Sequence, residues 1–184
     1  IMTLDVCLQP TSAKESLKVG LYKTSEWMLI CLESKKNDEQ ALFGIVQGGI
    51  YDDLREQSAE FMTSLDMPGY SIGGLSVGES KADMYRIAGK TAGLLPKEKP
   101  RYLMGVGSPE DLVENVANGI DMFDCVLPTR VARNGALFTK KGRVNVNTSR
   151  FRGVDCPIDK DCRCFTCLRF SVGYLHHLFK AREY

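Results

Sequence analysis

Arg101-Tyr102-Leu103-Met104-Gly105-Val106-Gly107-Ser108-Pro109-Glu110-Asp111 is a short apolar run that closes in glycine and passes at once into helix-start signals. Residues 101–107 read as a buried strand, because the run is brief, apolar and bounded by glycines. Ser108 offers an N-cap oxygen and Pro109 suits the first helical position, while Glu110 and Asp111 put negative charge at the positive end of the helix. Gly119 supplies the terminator, and another strand is predicted from Met122 to Leu127. Strand, crossover helix and strand make a unit that requires parallel pairing.

The same alternation runs back toward the N-terminus. Ile1 to Cys7 reads as a buried strand, followed by a long helical pattern with Leu17, Leu21, Met28 and Leu32 on one face. Ala41 to Gly49 is a second strand, and an amphipathic segment with Leu54, Phe61, Met62 and Leu65 follows it. Gly69 to Leu75 is a third strand, with a helix predicted from Lys81 to Leu95. Both an open doubly wound sheet and a barrel fit this α/β pattern. The barrel is favoured because Asp5, Gln47, Gly74, Gly105 and Asp124 each fall at a strand end, where a barrel brings them to one rim. The expected fold is therefore the C-terminal part of an eight-stranded (β/α)8 TIM barrel, since five strands are too few for a fold of about 250 residues. The missing strands would precede Ile1, so the chain is expected to be a fragment.

The chain has 184 residues, 43% hydrophobic and 26% charged, with a net charge of only +1. That is ordinary globular composition. No apolar run approaches a membrane span and no signal-peptide pattern is present, so no membrane partner is expected. The near-neutral total hides a local block: from Val126 to Val154 there is no Asp or Glu, while Arg130, Arg133, Lys140, Lys141, Arg143, Arg150 and Arg152 crowd the same stretch. Asp124 stands just before it. A carboxylate closing an apolar segment, followed by local positive charge, suits attack on a nucleic-acid sugar by an aspartate held in a dry pocket. A solvated basic loop with an incidental aspartate is the alternative on charge alone.

The seven cysteines are unevenly distributed. Cys7, Cys31 and Cys125 lie in apolar contexts, where a reduced thiol behaves as a small hydrophobe. Cys162-x-Cys164-x-x-Cys167 packs three thiols into six residues, a spacing that lets several thiolates reach one tetrahedral ion, and zinc is the usual occupant of such sites. Cys156, His176 and His177 are candidate fourth ligands, and the spacing selects none of them. A reducing, cytoplasmic location with a metal site explains the pattern better than a disulfide framework. Val144 to Asn147 is a candidate hairpin arm. The expected division is residues 1–153 as barrel and 154–184 as an incomplete zinc-binding subdomain.

Val46-Gln47-Gly48-Gly49, Gly73-Gly74-Leu75, Leu103-Met104-Gly105-Val106-Gly107, Asp121 to Arg130, and Cys162-x-Cys164-x-x-Cys167 occur in that order. Together they resemble the queuine tRNA-ribosyltransferases, or tRNA-guanine transglycosylases, over essentially the whole chain. The resemblance implies a zinc-containing TIM barrel that exchanges the wobble guanine of tRNAs with GUN anticodons (those for aspartate, asparagine, histidine and tyrosine) for a deazaguanine base. It implies that Asp124 is the nucleophile, attacking C1′ of the ribose to give a covalent tRNA ester. It implies that Asp5 recognises the base through its N1–H and amine, and that Gln47 and the Gly74 N–H bind the ring carbonyl, with Met104 on the ring face. Cys7 and Val77 resemble the bacterial pattern, which implies the smaller base 7-aminomethyl-7-deazaguanine (preQ1). Leu75 would then offer its carbonyl to the aminomethyl group, with Glu79 supporting that peptide.

Gly105, Val106, Gly107, Ser108, Pro109, Glu110 and Asp111 match one tRNA-contacting segment, and Thr129, Arg130, Val131, Ala132 and Arg133 match another. Arg130 and Arg133 suit unstacked anticodon bases and phosphates. The resemblance places the general acid–base aspartate and a base-stacking aromatic residue on an earlier strand, and the fourth zinc ligand downstream of Tyr184. Taken alone, such a chain is expected neither to close a barrel nor to turn over. Homodimers are common among bacterial members. Two other readings stand beside the enzyme: a non-catalytic zinc-containing tRNA-binding subunit, and an archaeosine-type transglycosylase. Retention of Asp124, Asp5 and Gln47 together argues against the pure binder.

Overall fold

Four strand–helix repeats are realised in the computed structural model, which describes residues 1–10 and 12–183. Strands β1 (Gly44–Val46), β2 (Tyr70–Ile72), β3 (Arg101–Leu103) and β4 (Met122–Phe123) form one sheet in that order, every pair parallel. Helices α1 (Lys14–Ser34), α2 (Asp52–Ser64), α3 (Lys81–Leu94) and α4 (Pro109–Ala117) alternate with them. Crossover helices cover such a sheet, so β1 and β2 are buried at every residue, as the short apolar runs require. Val46, Met62, Tyr70, Ile72, Ile87, Ala88, Leu103, Val106 and Ile120 lie in one core. Among the described residues the sheet is not closed into a barrel.

Every predicted strand is shorter in the structure, β1 to β3 pairing over three residues each inside the longer runs expected, and two depart for identifiable reasons. The first segment makes only an isolated parallel bridge, Met2 to Phe43, beside β1. Its pairing stops because the Val6 N–H turns to the Thr24 hydroxyl on α1, at 3.0 Å, instead of a neighbouring strand. The strand predicted to reach Leu127 ends at Phe123, and Leu127 begins the short helix α5 (Leu127–Arg133), with Pro128 in its first turn. Proline lacks the N–H a ladder needs and fits a helix start.

Capping follows the sequence. Ser108 and Asp111 form a reciprocal capping box at α4, and the Ser80 side chain accepts from the Asp83 N–H at α3. Gly69 is required for a different reason: any Cβ there would run into the Phe43 ring.

The chain divides into two compact units, Ile1–Cys125 and Val126–Tyr184. The second holds α5, an antiparallel hairpin of β5 (Ala136–Thr139) and β6 (Gly142–Asn145), and helices α6 (Phe165–Arg169) and α7 (Val172–Lys180). The hairpin includes the arm expected near Val144. No helix among the described residues is long and apolar enough to cross a membrane.

Candidate active site

The C-terminal ends of parallel strands are where open α/β sheets and barrels alike place their chemistry. Gln47 follows β1, Gly73 and Gly74 follow β2, Met104 and Gly105 follow β3, and Asp124 follows β4. Parallel register therefore carries these predicted residues to one edge of the sheet.

Two clusters form there. In the first, the Gln47 side-chain amide donates to Asp5 Oδ2 at 2.6 Å, and the Gln47 backbone N–H donates to Ser58 Oγ at 3.0 Å. A Cβ on Gly73 would lie 2.6 Å from Gln47 Nε2 and 3.3 Å from Asp5 Oδ2, and Gly74 adopts a φ of +66° against the Gln47 amide oxygen. Both glycines are needed for that close approach. Burial pushes the Asp5 carboxyl above its ordinary pKa, while the Gln47 hydrogen bond pulls it back in part. Burial also pushes the Cys7 thiol up, aided by the Asp5 charge, against a hydrogen bond from the Gly74 N–H. Cys7 is exposed, so its thiol lines this surface rather than acting as buried filling. Beyond Gly74, the Leu75 side chain is buried, and the Glu79 carboxylate accepts from the Ser76 N–H and, at 3.1 Å, from the Val77 N–H. In a trans peptide the carbonyl opposes the N–H, so Glu79 turns the Leu75 carbonyl away from itself.

In the second cluster, Asp124 Oδ1 accepts from the Tyr102 hydroxyl at 2.6 Å and from the Gly105 N–H at 2.8 Å. Both bonds fall on one oxygen, which fixes the carboxylate and leaves Oδ2 for other chemistry. Burial, with the hydrogen bond to Asp124 second, pushes the Tyr102 phenol up to about 12, so it remains a donor throughout the physiological range. Asp124 itself is exposed. Among the described residues no strand continues the sheet beyond β4, the strand that Asp124 follows.

Other predicted site residues serve the fold as well. Asp111 accepts from Tyr85 at 2.6 Å, from the Ser108 N–H at 2.9 Å, and pairs with Lys81 at 2.9 Å. Burial raises its pKa, but those partners outweigh burial and hold it far below the usual carboxylate range. Met104 is half-buried, with its N–H on the Ile72 carbonyl. In the second unit, Thr129, Arg130, Ala132 and Arg133 are exposed on α5, whereas Val131 is buried.

The sulfur atoms of Cys162, Cys164 and Cys167 lie within 4.8 Å of one another. Zinc–sulfur bonds of about 2.3 Å place tetrahedral thiolates at comparable separations, so the three could hold one metal ion. Hydrogen bonds from the Cys167 N–H and then from the Cys162 and Cys167 thiols hold Cys164 below its ordinary value, which favours the thiolate. Among the described residues Cys156, His176 and His177 do not join the group. The His176 ring is turned instead to the Val146 carbonyl, 2.7 Å from Nδ1.

The profile of the family described as queuine tRNA-ribosyltransferase matches residues 1–184, the full chain. The chain belongs to that family. It is 54% identical over 183 residues to a queuine tRNA-ribosyltransferase of Herpetosiphon aurantiacus, covering 100% of this chain and 47% of that protein. The corresponding proteins of Macrococcus caseolyticus and Bacillus subtilis are 52% and 50% identical over 184 residues, again across 100% of this chain and 48% of each relative. The chain thus spans about half the length of the curated relatives it matches.

Sequence reasoning passed over three residues of this edge. Tyr102 sits inside a strand and reads as core. Ser58 reads as an ordinary small residue on the apolar face of its helix and is buried there. Arg55 is fully buried on α2. Its spacing from Ala59 and Met62 puts it on the apolar face of that helix, which was the available signal.

Proposed function

We propose that the protein containing this chain is a bacterial-type tRNA-guanine transglycosylase, which exchanges the wobble guanine of GUN-anticodon tRNAs for 7-aminomethyl-7-deazaguanine. The observation that carries this reading is the pair of clusters at one sheet edge: a carboxylate clamped through a single oxygen, and an Asp5–Gln47–Gly74 group suited to a guanine-like ring. Asp124 Oδ2 attacks C1′ of the ribose. The C1′–N9 bond breaks, and its electron pair leaves with guanine, where the charge spreads onto the ring carbonyl. The Gly74 N–H and the Gln47 amide receive that oxygen, while Asp5 accepts the N1–H and the amine. Guanine takes up a proton as it leaves and the incoming base gives up its N9 proton, both by way of the general acid–base aspartate that the resemblance places on an earlier strand. The base then attacks C1′ and displaces Asp124. Two displacements at one carbon retain configuration.

Cys7 and Val77 leave room for the small aminomethyl group, and the Leu75 carbonyl accepts from it in the orientation that Glu79 sets. The segments 105–111 and 129–133 meet the anticodon loop. Residues 1–153 belong to a TIM-barrel catalytic domain and 154–184 to a zinc-binding subdomain, in a cytoplasmic homodimer. Zinc, when bound by Cys162, Cys164 and Cys167, supplies structural cross-linking of that subdomain.

The test uses the full-length protein with and without Asp124→Asn, incubated with a guanine-wobble tRNA and a deazaguanine inhibitor, then run on a denaturing gel. A tRNA–protein band confined to the aspartate form supports the reading. Equal tRNA binding with no such band in either form refutes it in favour of a non-catalytic tRNA-binding subunit.

A further inference from the structure

Arg55 is wholly buried; its hydrogen-bond partners are neutral carbonyls, and the Glu79 carboxylate acts on it through space without a direct ion pair to the guanidinium. Nε donates to the Gly49 carbonyl at 2.9 Å, Nη1 donates to Val46 at 2.9 Å and to Gly73 at 2.8 Å, and Nη2 lies 3.5 Å from the Gly74 carbonyl. A buried cation with neutral partners is expensive for a fold, and a methionine of similar length would fill the space at lower cost. What the methionine could not do is hold several strand-end peptides at once.

The geometry of those peptides shows the consequence. In a trans peptide the C=O and the following N–H point in opposite directions. The Gly73–Gly74 peptide is trans, so drawing the Gly73 carbonyl onto Arg55 turns the Gly74 N–H the other way, toward Cys7 and the base cluster. The Val46–Gln47 peptide is held from both sides, its carbonyl by Arg55 and its N–H by Ser58 Oγ at 3.0 Å. That double hold aims the Gln47 side chain at Asp5.

We propose that Arg55, with Ser58 on the same helix, is the positioning residue of the base pocket, setting the Gly74 N–H and the Gln47 amide toward the ring carbonyl of a guanine-like base. This inference rests on the transglycosylase reading. Arginine is required because its planar fork spans separate carbonyls, whereas a lysine ammonium is a point donor. Burial pulls Arg55 down to about 9, which leaves it cationic at neutral pH. The positive charge therefore stands behind the two donors that receive the carbonyl oxygen.

The experiment compares the full-length protein with its Arg55→Lys and Ser58→Ala variants in guanine exchange, with KM for base and for tRNA measured separately. Each protein is also tested for equilibrium binding of guanine and of 2-aminopurine, which lacks the carbonyl and the N1–H, the second loss falling on Asp5 equally in every protein compared. Arg55→Lys should raise the base KM roughly tenfold, the worth of one hydrogen bond. It should leave the tRNA KM within about twofold and shrink the preference for guanine over 2-aminopurine by the same tenfold factor. A folded Arg55→Lys protein with unchanged base KM and preference overturns the proposal. So does an equal loss for both ligands, which is what a merely structural role gives. Should Arg55→Lys fail to fold, Ser58→Ala decides: a reduced carbonyl preference supports the proposal and an unchanged one overturns it. A wild-type protein that binds guanine without exchanging it refutes the transglycosylase reading and leaves the variant comparison standing. One that binds no guanine overturns both.

Discussion

Replacing Asp5 with asparagine should separate stability from recognition, moving them in opposite directions. Burial opposes the charged form of Asp5, so its pKa in the folded protein lies above the ordinary value. A raised carboxyl pKa contributes stability that is present at low pH and is lost as pH rises through the folded value. At neutral pH the charged carboxylate is therefore a net burden on the fold. Asparagine removes the burden and still presents an oxygen to the Gln47 amide, now 2.6 Å from Asp5 Oδ2. Melting temperature at pH 7 should hold or rise in Asp5→Asn. Base recognition should collapse, because a carboxylate accepts from both the N1–H and the amine, whereas asparagine offers one acceptor and one donor. Losing one charge-assisted hydrogen bond, about 1.5–3 kcal/mol, raises the base KM by about 10- to 100-fold. The assay is guanine exchange in the full-length protein, with base and tRNA varied separately beside a thermal melt. A base KM within threefold of wild type would refute the argument, as would a lower melting temperature with both KM values rising together.

Three further outcomes follow from the same geometry. Tyr102→Phe removes the 2.6 Å donor to Asp124 Oδ1 but leaves the Gly105 N–H. Because Asp124 is exposed, the loss should be about 1 kcal/mol, or roughly fivefold in the single-turnover rate of covalent band formation, with tRNA affinity unchanged; a rate within 1.5-fold contradicts the clamp. Asp111→Ala removes the carboxylate half of the α4 capping box, the Tyr85 hydrogen bond and the Lys81 pair, and should lower the urea-unfolding free energy by about 2 kcal/mol at pH 7. Since the folded pKa of Asp111 is depressed, the difference from wild type should persist above the ordinary carboxylate value and shrink as pH falls below it. A difference that grows on acidification would contradict that sign. Cys164→Ser should lower zinc bound per chain in the full-length protein, measured by metal analysis after dialysis against a chelator, and unchanged zinc would remove Cys164 from the ligand set.

The parallel sheet was legible because it rests on local signals. The Ser108–Pro109 helix start, the glycine at 119 and the short apolar runs each act within a few residues, and the structure has α4 where those signals put it and β1 to β3 inside the predicted runs, each only three residues long. Boundaries were lost where a distant group took over. Nothing near Val6 announces that its N–H goes to Thr24, eighteen residues on. At the end of β4, Pro128 was read as part of a motif and not as the helix start that it is.

The site shows the same division between type and environment. Asp5, Gln47, Gly74 and Asp124 could be named as candidates because the sequence reads each as ending a strand-like run with a polar or backbone-permissive residue, a pattern visible in one dimension, although the run before Asp5 makes only an isolated bridge. The residues that make those groups usable were hidden, because their role depends on what the fold places beside them. Tyr102 differs from any strand tyrosine only in having Asp124 opposite its hydroxyl. Arg55 occupies a helix position that periodicity assigns to the core, and an arginine there looks like an error in the pattern. A local rule broken inside an otherwise regular helix is a place to look for function, since a buried cation persists only if the peptides around it need one. Here those peptides carry the Gly74 N–H and the Gln47 amide, so the irregularity in α2 and the recognition proposed for the sheet edge would share one physical origin.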